Sequence, residues 1–279
     1  MRTKTPGLTR LAAAIVVSIL SLRALADPTP SGEITAISSR VYSGYKRATL
    51  PDGSIRPEHY DLAVGGDVSW LTSGLEESTP PPVSDNTIDK VNFAAISRMI
   101  QGPLASQKYL PTSEPKDADL LIVVFWGRSI GSGAFSQSGS GVRLGIDQDL
   151  VDLQNARLMG FDSTHLFDQG FNDPSNMMAN IRRQVHSGDL DAVKEDRYFV
   201  ILRAFDFQAA WKQKQIRLLW ETRFSVSQRA HDFRKDLPGM AMIASQFFGQ
   251  DTHGLVEKPI PEGRVEIGVP QSLGPVPEK

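Results

Sequence analysis

The stretch whose residue types come nearest to chemistry is Gly127 to Gly145, GRSIGSGAFSQSGSGVRLG. It follows an apolar run of strand length, and Gly131-Ser132-Gly133 is a fragment of a phosphate-cradling turn. Such a turn binds anions through backbone N–H groups when it opens a helix directly. Here about a dozen residues intervene before the next helical pattern, and no Lys-Ser/Thr pair follows, so neither the dinucleotide fingerprint nor the P-loop is met. What remains is a candidate binding loop, with Arg128, Ser129, Gly131, Gly133 and Ser136 as its candidate contacts. Long irregular loops in compact domains are usually functional or disordered.

Other chemistry-bearing groups fall short of a motif. Asp147, Asp149 and Asp152 suggest calcium, but Gln154 and Arg157 do not complete a calcium-loop pattern. The histidines, His59, His165, His186, His231 and His253, form no H-x-H or H-E-x-x-H pair. There is no G-x-S-x-G nucleophile elbow and no cysteine, hence no thiol nucleophile and no disulfide. Arg203, Asp206, Glu221 and Arg223 sit on strand patterns, where charges read as rim residues or cross-strand pairs. The expectation is no catalytic residue, no cofactor and no metal.

The elements that would position such groups centre on Arg197 to Val226. Tyr198 to Phe207 is apolar on both alternating faces and reads as a central strand. Ile216 to Val226 places Ile216, Leu218, Trp220, Thr222, Phe224 and Val226 on one face. The short link Gln208 to Gln215 makes the pair antiparallel, because a parallel return needs a longer crossover. Ala118 to Gly127 is a nearly continuous apolar run and reads as a buried strand. Asp61 to Leu71 reads as a strand with a bulge at Gly65-Gly66. Ile88, Val91, Ala95, Ile96, Met99 and Ile100 fall at helical spacing behind a cap at Ser84 or Asp85, with Gly102-Pro103 kinking or ending the helix. A further helix is expected over Ile146 to Gly160, a short one over Pro174 to Val185, and one from Pro238 to Phe248.

Residues 1–26 stand apart. Arg2, Lys4 and Arg10 precede the apolar run Leu11 to Leu22, and Ala24-Leu25-Ala26 gives a small-x-small cleavage site before Asp27. This is the pattern of a secretory signal peptide, and the run is short for a bilayer span. Without disulfides the expected destination is a bacterial periplasm or the medium. Loss of Arg2, Lys4, Arg10 and Arg23 takes the formal charge from −2 to −6, which argues against nucleic acid as a partner. The expected organisation is an extended segment over 27–60, one domain over 61–255 with a Pro-rich linker at 72–84, and a Pro/Gly-rich tail over 256–279.

The helix IDKVNFAAISRMI, the strand opening Asp117-Ala118-Asp119-Leu120-Leu121-Ile122 and the later Leu218-Leu219-Trp220-Glu221 resemble the small α+β domains of bacterial envelope proteins of unknown function, many of them lipoproteins. This chain lacks their lipidation cysteine, and the resemblance carries no catalytic residue with it. The expected fold is α+β: an antiparallel or mixed sheet of about four or five strands with helices packed mainly on one face. The expected function is a non-enzymatic binding or scaffold module of the envelope, offering an apolar patch or open sheet edge to a protein or small ligand. The alternative is a hydrolase or small-ligand-binding enzyme with its site under the Gly127–Gly145 loop.

Overall fold

The structure, a computed structural model, describes residues 34–67, 85–131, 148–161, 192–229 and 231–260. The strands there are β1 (Ile34–Val41), β2 (Glu58–Asp67), β3 (Tyr109–Pro111), β4 (Leu120–Arg128), β5 (Arg197–Asp206), β6 (Leu218–Ser227) and β7 (Val256–Pro259). The helices are α1 (Phe93–Ser106), α2 (Gln148–Met159), α3 (Phe207–Gln213) and α4 (Phe233–Ser245). The signal pattern with Ala24, Ala26 and Asp27, the linker at 72–84, Gly133, Ser136 and the helix expected at Pro174 to Val185 lie outside the described residues.

One mixed sheet runs in the order β3-β2-β4-β5-β6-β1-β7. β2 is parallel to β3 and β4, and every other pairing is antiparallel. The fold is thus α+β with a mixed sheet, but it has seven strands among the described residues rather than four or five. β3 and β7 have three and four residues, too short to show a period, and β1 carries Thr35, Ser38 and Ser39 where apolar residues would mark a strand. The sheet therefore reaches beyond 61–255 at both ends, through β1 and β7.

β5 is the centre, as its two apolar faces require. Tyr198, Val200, Leu202 and Ala204 join the larger core under α1 and α4, with Leu120, Ile122 and Val124 of β4 and Trp220, Phe224 and Val226 of β6. Phe199 and Ile201 point to the other face and pack with Ala36, Ala156, Leu158 and Met159. Helices cover both faces as a result: α1 and α4 one face, α2 the β1–β6 part of the other. The β5–β6 pair is antiparallel, with Arg203 opposite Glu221, and the link between the strands folds into α3 rather than staying a simple loop. The glycine pair expected to mark a bulge in β2 does so, since the register with β4 shifts between Val64 and Gly66.

Two helix starts differ from the sequence reading. α1 begins at Phe93, with the side chain of Asn92 accepting from the Ala95 N–H at 2.9 Å. Asp85 caps a preceding turn instead, accepting from the Thr87 N–H and hydroxyl and from the Tyr198 hydroxyl, so Ile88 in that turn and Val91 just after it are buried outside the helix. α1 then runs through Pro103 to Ser106. α4 begins five residues ahead of Pro238, where Asp232 accepts from the Arg234 and Lys235 N–H groups and Asp236 accepts in return from the Asp232 N–H. That reciprocal cap, together with burial of Phe233, Leu237, Met240, Ala241 and Ala244, offsets the cost of Pro238 inside the helix. Asp232→Ala removes the acceptor and should cost about 1 kcal/mol of stability in urea titration.

Candidate functional site

The described part of the Gly/Ser-rich loop is held down. Arg128 ends β4 and lies 3.6 Å from Asp89. The Ser129 N–H donates to Arg197 O, Ile130 O accepts from Asn155 Nδ2 at 2.9 Å, and the Gly131 N–H donates to Asp196 Oδ1 at 2.6 Å. Gly131 presses on the backbone at Lys194 and Glu195 so closely that a Cβ has no room. Arg128, Ser129 and Gly131 thus anchor the loop's first turn to the strand end. Close by, Ile34, Ala192, Glu195, Arg197, Val226, Ser227, His231 and Glu257 line a concavity of about 280 Å³. Arg197 is buried there, bonded through Nε to Ser225 Oγ at 3.1 Å and through Nη1 to Glu195 Oε2 at 3.3 Å. Burial holds its guanidinium below the usual arginine range.

A second concavity, about 360 Å³, opens at the far end of β1 between Val41, Tyr45, Arg47, Ile55, Phe248 and Gly249. A polar cluster lies at its base. The Tyr45 hydroxyl donates to Glu58 Oε2 at 2.5 Å and lies 3.3 Å from the Tyr109 hydroxyl, which donates to Phe248 O. The Arg47 guanidinium stacks 4.2 Å from the Tyr109 ring centroid and donates to the carbonyls of Arg56, Gln107 and Lys108. Gly249, at φ +69°, sits under both tyrosines where any Cβ would strike the Tyr109 hydroxyl. Burial raises the pKa of Glu58, against the opposing pull of the Tyr45 hydrogen bond and Arg47. Burial likewise pushes Tyr109 up to about 12 and Tyr45 far above the ordinary phenol. The Tyr45 hydroxyl is taken by Glu58, and the fully buried Tyr109 hydroxyl by Phe248 O, so the cluster is satisfied internally. Tyr45 and Arg47 share one loop, while Glu58 opens β2 and Tyr109 opens β3 opposite it; no motif spacing links the three segments, so nothing in the sequence signals the cluster.

The strand charges do meet. Glu221 is buried, and its carboxylate takes Arg203 Nε at 2.5 Å and Arg223 Nε at 2.6 Å, while Arg40 stands opposite it on β1. Arg223 also donates to Arg157 O, tying α2 to the sheet. Burial alone would raise the Glu221 pKa, but the two guanidiniums overcome it and the net shift is downward. Asp206 caps α3, accepting from the Ala209 N–H at 2.9 Å. Arg203 and Glu221 are thus a cross-strand pair, as expected, while Arg223 pairs with Glu221 along the same strand and Asp206 is a helix cap rather than a rim or cross-strand charge.

No family model matches the chain, and no curated protein does. Among solved structures it is similar to a PDZ domain protein from Parabacteroides distasonis ATCC 8503, at 11% identity and a TM-score of 0.37 over 81% of this chain and 39% of that one. It is also similar to a DUF4136 family protein from Bacteroides thetaiotaomicron VPI-5482, at 12% identity and a TM-score of 0.31 over 75% of this chain and 91% of that one. This chain therefore spans 39% of the length of the first. Both are bacterial proteins, and at these scores neither assigns a family or an activity. Among the described residues no helix is long and apolar enough to cross a membrane.

Two substitutions probe the clusters. Glu58 is held above its ordinary value of 4.5, so the folded state binds the proton more tightly than the unfolded chain. Its contribution is fully present below that value and lost as pH rises through the folded pKa. Glu58→Gln, which cannot titrate, should therefore gain on the wild type between pH 4.5 and 7 in paired urea titrations. Glu221 behaves oppositely, stabilising above 4.5 and losing its effect on acidification. Glu221→Gln should cost about 3 kcal/mol at pH 7, the low end for a broken buried pair because Arg203 is partly exposed, and the deficit should shrink below pH 4.5.

Proposed function

We propose that this chain is an exported, non-enzymatic binding module of the bacterial cell envelope that takes up an extended segment of a partner protein along β2. Export rests on the signal pattern ending at Ala24-Leu25-Ala26. The observation that supports strand addition is the unequal length of β2 and its outer neighbour. β3 pairs only with Glu58, His59 and Tyr60 of the ten residues of β2.

The backbone directions follow from the bonds at the paired end. Glu58 N–H donates to Lys108 O and Tyr60 O accepts from the Thr112 N–H, both on the β3 side. His59 O accepts from the Asp119 N–H on the β4 side. By alternation Leu62 and Val64 direct their N–H and C=O groups outward, past the end of β3. The Leu62 N–H is met by the adjacent Asp61 carboxylate at 2.8 Å. Among the described residues no strand pairs with the outward groups of Val64, whose side chain is 58% exposed. An added strand would continue the line of β3, with main-chain bonds supplying affinity and Val64 a side-chain contact.

A second reading, a hydrolase or small-ligand-binding enzyme with its site under the Gly127–Gly145 loop, is supported by the concavity where Glu195, Arg197, His231 and Glu257 converge beside the loop's first residues. One substitution separates the two readings. Val64→Pro removes an outward N–H at an edge, which sheets tolerate. It should leave the thermal midpoint within a few degrees and weaken binding of extended peptides, selected from a random displayed library, about tenfold. Equal binding by wild type and Val64→Pro, or a library yielding no peptide that binds, would overturn strand addition.

A further inference from the structure

The connection between β5 and β6 exposes an unusual run. Every residue from Trp211 to Arg217, WKQKQIR, is exposed, with Trp211 at 46% and Ile216 at 86%. Lys212, Lys214 and Arg217 lie in the same run, and no acidic residue falls between Phe207 and Leu219. The whole chain carries −2, so this is a local reversal of sign. The neighbouring turn adds Glu114, Lys116 and Asp117, and Asp206 lies 3.8 Å from Arg217.

The tip is built rather than loose. Asp206 caps the start of α3, and Lys214 ends it in the left-handed region at φ 58°, its N–H donating to Ala209 O. The Lys214 ammonium turns back to Trp211 O at 3.1 Å. Asp206 N–H closes the base on Arg217 O at 2.9 Å, and Gln208 Nε2 reaches Ala118 O at 2.8 Å and Pro115 O at 3.0 Å, pinning α3 to the approach to β4. Lys212 Nζ lies 5.8 Å from the Trp211 ring centroid. A fixed turn thus holds an indole and a branched aliphatic side chain in water beside three cations. Single exposed apolar residues are common, but here two lie within six residues of one fixed, basic turn.

We propose that this tip rests on the surface of an anionic lipid bilayer, as a peripheral contact. The charge selects that occupant: clustered Lys and Arg are drawn to anionic headgroups, and their stems allow the charge to stay wet while the apolar body goes deeper. Tryptophan is the residue favoured at the headgroup level, and Ile216 supplies the short apolar insertion. Contact through one tip leaves the β2 edge free, so the inference does not rest on strand addition.

The test is flotation of the mature chain with vesicles of phosphatidylcholine alone or of phosphatidylcholine mixed with phosphatidylglycerol. Wild type should float with the mixed vesicles and stay behind with the neutral ones, and its tryptophan emission should shift to the blue. Trp211→Phe should keep flotation and lose most of that emission shift. Trp211→Ala with Ile216→Ser, and separately Lys212→Glu with Lys214→Glu, should each reduce binding more than tenfold with the thermal midpoint kept within a few degrees. Val64→Pro should float as wild type does. Absence of wild-type flotation on anionic vesicles overturns the proposal, as does flotation of either double variant at the wild-type level. Double variants that bind vesicles normally but lose a protein partner overturn it in favour of a protein-facing surface.

Discussion

The fold depends on Trp220 being held between Tyr109 and Phe248. Its ring centroid is 5.6 Å from that of Tyr109 and 5.7 Å from that of Phe248, the latter pair stacked at 13°. Tyr109 belongs to β3 at one edge of the sheet, and β2, β4 and β5 separate it from β6. Four strand steps on a flat sheet would be about 19 Å, beyond the reach of two facing side chains. The sheet must therefore coil around the face that carries α1 and α4, and the aromatic contact closes that coil. Sheets twist in one sense by nature, but the amount of coiling is set by what the concave face must enclose. Here that is Ile96, Ile100 and Leu104 of α1 with Leu237, Met240 and Ala244 of α4.

Closing the coil brings β3 to the loop after β1, and the polar cluster of Tyr45, Arg47, Glu58 and Tyr109 lies at that seam. Arg47 joins the two segments by donating to carbonyls on both, at Arg56 and at Gln107 and Lys108. On the opposite face the corresponding tie is Glu221, which draws Arg203 and Arg223 together, while Arg223 reaches α2. Each layer is thus fixed to the sheet by a directed polar contact as well as by apolar area. Directed contacts allow fewer alternative packings than apolar surfaces do. In a chain without cysteine these contacts and apolar burial hold the layers together with no disulfide.

The middle of the sheet was legible in the sequence because burial on two faces leaves an unbroken apolar run. β4 and β5 read directly as strands, and the short link between β5 and β6 allowed only an antiparallel pair. The edges were not legible. Tyr109–Pro111 and Val256–Pro259 are too short for a period of two, and Ser38 and Ser39 on β1 are bonded rather than apolar, Ser39 Oγ reaching Thr222 Oγ1 at 2.7 Å and Phe247 O at 2.9 Å. Helix starts were misplaced where a side chain two or three positions away decided the cap, as at Asn92 and Asp232. The polar cluster was hidden for a different reason: Glu58 and Tyr109 face each other across the parallel β2–β3 pair, but β3 itself was not legible, and Tyr45 reaches them from the loop after β1. Arg203 and Glu221, by contrast, follow from strand register once β5 and β6 are paired.

The position of β1 has a consequence for how the chain folds. Ala36 pairs with Ser225, roughly two-thirds of the chain later, and β1 separates β6 from β7. Among the described residues, the first strand to be synthesised therefore has no sheet partner until β6 exists. Loop-closure entropy is spent before that contact is gained, so completion of the sheet is a late and slow event. A chain built in this order stays incomplete while it is being made, which is the condition in which a polypeptide can still be threaded through a narrow pore.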